Sequence, residues 1–422
     1  MLTITGATAI VIDEATETAG DLSVGEVSTG STGDVLDASG CIVTPGLVNA
    51  HHHLLQSAFR TLPGTRGVAM RDWLPTMAAA YARAGVDAEL ASAAAAVGVA
   101  EGLLSGVTTV ADHHLTWPAG ADTVSIARAT ADAARALGGR LVFVRGSARD
   151  DPQEAALSAE AIVGSLLLEH RGTTADGMLQ LAVGPAGVHS DSRETFELLG
   201  EVAAKHGLRR RTQSNEQVDT AIALEKYGRR PIDLLEEWGW LAPDVTLAHL
   251  CDVTPDEIAR LAVAGVSATH APGCDLPMGW GIAPVAALRA AGIRVGLGTS
   301  GGGSNDAGHL LADARLAMQV APLVGPPLAA REVLGMAMAG SAAGLGRAEL
   351  GHLRPGSAAD LCVWDVSGVA DAGVADPVAG LLWANPGRRP KHVVVNGRVV
   401  VRDYELVGAD ERELVERLRA RV

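Results

Sequence analysis

Short runs rich in valine and leucine recur through the middle of this 422-residue chain, and alanine-rich stretches with helical spacing come between them. The apolar runs fall at 107–110, 141–144, 179–183, 208–212, 245–250, 266–270 and 295–298, with helical patterns such as 88–104, 122–137, 194–206 and 255–264 intervening. A strand that must lie parallel to the previous one needs a long crossover, and an amphipathic helix is the usual crossover. Repeated β-then-α units over this length favour an α/β fold of the closed (β/α)8 TIM-like kind over an open doubly wound sheet. Such barrels carry their functional residues at the C-terminal ends of the strands.

Both ends of the chain read differently. Residues 2–4, 9–12 and 41–43 are short β-type runs separated by Gly/Ser/Thr turns, and 359–364 and 392–401 are strand-like, the latter folded at Asn396-Gly397 into a hairpin. The expected division is a small composite β-domain from 1–45 and 350–408, a barrel at 46–349, and an exposed charged helix at 409–422.

Composition narrows the class of function. A chain that is 48% hydrophobic with a net charge of −15 is globular and lacks the basic excess of a nucleic-acid binder. No apolar run reaches membrane-spanning length, and the N-terminus lacks a signal-like pattern. Cys41, Cys251, Cys274 and Cys362 are far apart without Cys-x-x-Cys spacing, so they read as reduced thiols of a cytoplasmic protein. The expected partner is a small molecule, with neither nucleic acid nor membrane, and self-association into a homo-oligomer is expected.

The chemistry concentrates at strand ends. His51 and His53 close a Val/Ile-rich run after Pro45-Gly46, and strand alternation projects them together while His52 turns away. Two converging imidazoles suit a borderline-soft divalent metal such as zinc. His249 ends the run at 245, Gln213 and Glu216 follow the run at 208, and Ser300 precedes three glycines. Three neutral imidazoles with an open position make a catalytic type of metal site, and Glu216 is suited to carry protons between water and a leaving group. The plainer reading makes His249 a core histidine and Glu216 a helix-start residue. Their joint placement at successive strand ends favours the site.

These residues, with Gly106-Val107-Thr108-Thr109-Val110-Ala111-Asp112, Met278-Gly279-Trp280-Gly281, Ser304-Asn305-Asp306 and Gly356-Ser357-Ala358-Ala359-Asp360-Leu361, resemble the amidohydrolase superfamily over essentially the whole chain. The likeness is to its 8-oxoguanine deaminase and s-triazine hydrolase branch. It implies hydrolysis of a C–N bond on a purine- or triazine-like ring, by deamination or loss of an amine-like leaving group. It also implies one divalent metal, zinc ahead of iron or manganese. The metal set it implies is His51, His53, Gln213 and His249, with Glu216, His249 and Ser300 catalytic.

Two departures stand out. Where the family carries His-x-His after the fifth strand, this chain has Arg211-Thr212-Gln213, and Ser300 replaces the usual metal-binding aspartate. An amide oxygen is a weaker donor than imidazole and brings no charge. Arg211 could therefore contact substrate, repel the cation, or face outward. Gln56, Trp73, His114, His189, Trp280 and Asn305 are further candidates for substrate contact, with Asp306 as a helix cap. The competing readings are a metal-free hydrolase or lyase using Glu216 and Arg211, and a non-catalytic binding relic.

Overall fold

The structure is a computed structural model describing residues 2–24, 35–168 and 170–422; the glycine- and serine-rich stretch at 25–34 lies outside the described residues. Eight parallel strands follow in chain order: β1 (Leu47–His53), β2 (Val107–His114), β3 (Arg140–Ser147), β4 (Leu179–Pro185), β5 (Arg209–Ser214), β6 (Val245–His249), β7 (Ser267–His270) and β8 (Val295–Leu297). A ninth short strand, β9 (Ser300–Gly301), continues β8 after Gly298 and Thr299 and pairs with His52 and His53 of β1. One end of the ladder thus rejoins the other, giving the expected barrel. Gly298 is required at that seam, because a Cβ there would lie 2.7 Å from the Cβ and carbonyl oxygen of His51.

The strands are buried along nearly their whole length, as a parallel sheet covered by helices demands. Several helices begin where a side-chain oxygen satisfies free backbone N–H groups, as Asp87, Asp122, Asp151, Ser192 and Thr254 do. The far end of the barrel is closed by the short helix Ser341–Leu345. Its last carbonyls accept bonds from Gln180, Arg209 and Thr246.

Strands from both termini make one mixed sheet, in which Cys41–Pro45 pairs with Leu361–Asp365 and with Leu2–Val11. Asn396 and Gly397 take the left-handed conformation of the expected hairpin turn. The edge strand Glu17–Val24 was not legible in the sequence, because its polar, largely exposed residues carry no apolar alternation. Arg140 of β3 reaches this sheet through a buried two-armed ion pair with Asp360, at 3.1 and 2.9 Å. The helix Glu411–Arg419 is mostly exposed and anchors through buried Leu418. Among the described residues, no helix is long and apolar enough to cross a membrane.

Candidate active site

The strand ends of β1, β5 and β6 bring the sequence-marked histidines and the glutamine together. The His51 ring lies 4.9 Å from that of His53 and 5.2 Å from that of His249, centroid to centroid, with all three residues buried. Gln213 falls inside β5 rather than after it, so its side chain points into the barrel, and its Oε1 stands 3.1 Å from His249 Nε2.

Hydrogen bonds orient these rings. His53 Nδ1 donates to the carbonyl of His113 at 2.7 Å, and His249 Nδ1 donates to Asp275 Oδ1 at 2.6 Å. Each bond leaves Nε2 as the face turned to the centre, the arrangement by which ligand histidines are held. His51 Nε2 is buried without a partner. With its Nδ1 proton committed to Asp275, His249 directs Nε2 at another acceptor, the Gln213 oxygen, so a cation belongs between them: a proton or a metal ion. The donors fit a divalent metal in that place.

Burial opposes a charge on His249, but Asp275 and Glu216 raise its pKa above the ordinary imidazole value. Asp275 responds in the opposite sense: burial pushes its carboxyl up, and the charge and hydrogen bond of His249 hold it down at about 2. Glu216 is fully buried, neither of its oxygens has a hydrogen-bond partner, and Oε1 lies 3.7 Å from His249 Nε2. Burial pushes its pKa up to about 7, against the pull of His249 and His189. Asp112, similarly buried with Oδ2 unpartnered, is also raised to about 7.

Backbone strain gathers here. Asn215, His249, Leu250 and Ser300 have φ of 56°, 76°, 56° and 52°. The left-handed region costs a non-glycine residue about 1–2 kcal/mol. Such strain persists where the surrounding structure over-determines it, often at functional sites.

A cavity of about 800 Å³ opens over this floor, bordered by His53, Gln213 and Ser300 and walled by Trp73, Trp117 and Trp280. Trp280 stands edge-on to His249 with ring centroids 5.0 Å apart, and its indole N–H is buried without a partner. Trp73 lines the cavity while donating to Gly303 O at 3.0 Å. His114 packs on Trp117 at 4.5 Å, and His189 faces the cavity with Nδ1 3.1 Å from buried Asp219.

Three expected substrate contacts have other duties. Gln56 borders the cavity, but its Oε1 accepts the Gly303 N–H at 3.0 Å and holds the glycine loop. Asn305 is absent from the cavity wall, since its amide donates to Thr299 O at 2.9 Å and Asp313 Oδ2 at 3.0 Å. Arg211 does not face outward: residues two apart share a strand face, so it points inward with Gln213. It is buried and does not line the cavity; Nη2 donates to Ala50 O and Nη1 has no partner. It bonds to none of the three imidazoles. Burial lowers its pKa to about 9, and its charge disfavours a proton on His51 and His113. Nor does Asp306 cap a helix; it pairs with Arg66 and accepts the Thr61 N–H at 2.6 Å, while the helix starts at Leu310.

Asp275 escaped the sequence reading. It follows β7 in Ala271-Pro272-Gly273-Cys274, beside no run of polar residues, and only folding sets it against His249. Its place just after a strand end was the one available signal.

Residues 42–400 match the model of the amidohydrolase family. The chain is 35% identical over 401 residues to 8-oxoguanine deaminase of Pseudomonas aeruginosa, covering 91% of this chain and 87% of that protein. It is 31% identical over 414 residues to isoxanthopterin deaminase from an unknown prokaryotic organism, covering 90% and 85%. The atrazine chlorohydrolase of Arthrobacter aurescens TC1, solved with zinc, superposes with a TM-score of 0.91 at 35% identity, with both chains covered completely. A match of this extent, on a barrel with histidines converging at its strand ends, makes the chain a member of the amidohydrolase family.

Proposed function

We propose that this chain is a divalent-metal hydrolase of nitrogen heterocycles. It exchanges an amine-like or other leaving group on an electron-poor carbon of a purine- or triazine-like ring for oxygen from water. The observation that carries this reading is the convergence of His51, His53 and His249, with Nδ1 of the latter two tied to His113 O and Asp275. Those imidazoles would hold the cation, with Gln213 Oε1 as a further donor; zinc suits this set. When bound, the cation supplies Lewis acidity and lowers the pKa of water toward neutrality.

The remaining work falls to the protein. Glu216, poised near 7, takes a proton from the attacking water at a carboxylate oxygen and returns it to the leaving group. His249, held by Asp275, keeps its Nε2 toward the reacting centre, and the Ser300 hydroxyl borders the same space. Trp73 and Trp280 offer faces and edges to a planar ring, while His114 and His189 offer polar contacts. A metal-free acid–base pair of Arg211 and Glu216 gains no support, because Arg211 commits Nη2 to the Ala50 carbonyl and neither Glu216 oxygen has a hydrogen-bond partner. In this reading residues 46–349 are the catalytic unit, 1–45 and 350–408 its composite β-domain, and 409–422 a terminal helix.

The test is ammonia or leaving-group release from a panel of purines, pterins, triazines and pyrimidines, alongside metal analysis. Near-stoichiometric metal that is lost in His51→Ala is expected, with turnover in Glu216→Gln reduced by about 10²–10⁴-fold. No metal at saturating concentration, or unchanged turnover in Glu216→Gln, refutes the reading.

A further inference from the structure

The donor set described above has three imidazoles and an amide but no anionic ligand, since Ser300 stands where most relatives would be expected to supply a carboxylate. A buried Arg211 with an unpartnered Nη1 adds positive charge below the site. Four neutral donors and a nearby guanidinium leave a divalent cation without a charged ligand of its own. Two buried carboxylates stand beside His249, but Asp275 is committed to its Nδ1 and the place of Glu216 in the proposed mechanism requires it to stay free.

One further group on this floor can become an anion on binding metal. Cys274 follows β7, is 1% exposed and borders the cavity together with Gln213 and Ser300. Ser304 lines the cavity with it. One potential ligand atom from each of His249, Cys274 and Asp275 lies within 4.8 Å of the others, and all three residues are buried. His51 Nε2 is buried and unpartnered, and the ring centroid of that residue lies 5.2 Å from that of His249.

We propose that Cys274 is a thiolate ligand of the metal, replacing by softness and charge the carboxylate that Ser300 does not supply. This rests on the metal-site reading above and adds a donor to it. The S–H bond breaks as the sulfur–metal bond forms, and the proton leaves through the cavity to solvent. No oxidation state changes. A metal-bound thiol is deprotonated outright, and zinc accepts mixed sulfur and nitrogen sets. Asp275 remains the residue that orients His249, because its Oδ1 is occupied by that hydrogen bond.

Cobalt(II) loaded into the full-length chain reads the donor directly. Near-ultraviolet sulfur-to-cobalt charge-transfer absorption is expected in the natural sequence and in Cys251→Ser, and its loss in Cys274→Ser, with metal affinity at least about tenfold weaker. X-ray absorption at the zinc edge of the unsubstituted protein gives the same answer without a variant, through a sulfur shell at about 2.3 Å. Metal bound with neither charge transfer nor a sulfur shell overturns the thiolate and leaves the proposed hydrolase standing. Charge transfer that persists in Cys274→Ser also overturns it. Failure to bind any metal overturns both.

Discussion

Glu216 should make the metal-free protein less stable as pH rises. Its carboxyl is fully buried, accepts no hydrogen bond, and has its pKa pushed from 4.5 to about 7, with burial as the leading cause. That shift is a factor of about 300 in proton affinity, or about 3 kcal/mol. The folded pKa exceeds the unfolded one, so the stabilisation is fully present below about pH 4.5 and is lost as pH climbs through about 7. Glu216→Gln carries no titrating proton. At pH 8 the metal-free glutamine variant should be more stable by about 3 kcal/mol, and the advantage should vanish toward pH 4.5. At about 2.1 cal/mol/K of unfolding entropy per residue, 422 residues turn this into a rise in Tm of about 3 °C. Calorimetry of both proteins with chelator, across that pH range, measures it. A glutamine variant no more stable at pH 8, or an advantage independent of pH, refutes the argument that this carboxylate is held in an unfavourable state for chemistry.

Three other outcomes follow from the geometry. Asp275→Asn removes the charge that orients His249 through the 2.6 Å bond, and metal affinity measured by competition with a chelator should fall by about 10–100-fold. Asp360→Ala strands Arg140 in the core between barrel and terminal sheet and should cost about 3–5 kcal/mol in denaturant unfolding. Arg211→Met removes a buried cation lacking an ion-pair partner near the imidazoles; isothermal titration with zinc should show binding about tenfold tighter, and weaker binding would refute the electrostatic role assigned to it.

The sequence marked His51, His53, His249 and Glu216 because strand periodicity and strand-end position leave a signature in one dimension. It marked the Asn396-Gly397 hairpin for the same local reason. Other residues depended on long-range packing. Gln56 and Asn305 looked like substrate contacts, but folding ties Gln56 to the Gly303 N–H and Asn305 to Thr299 O and Asp313. The helix Met70–Ala84, which lines the cavity with Trp73 and Met77, carries Pro75 near its start, a residue that reads as a helix break, and the sequence pattern passed over it.

By itself the sequence determined the barrel, since short continuous apolar runs alternating with helical apolar patterns have few packed solutions, and it determined which strand ends carry imidazoles. Tertiary structure decided the rest of the site. Asp275 meets His249 across 26 residues, Ser300 meets His52 across the seam that closes the barrel, and Cys274 comes to lie beside the first pair. Those relations depend on strand register and barrel closure, which are fixed by the packing of the whole ring rather than by the spacing of residues along the chain.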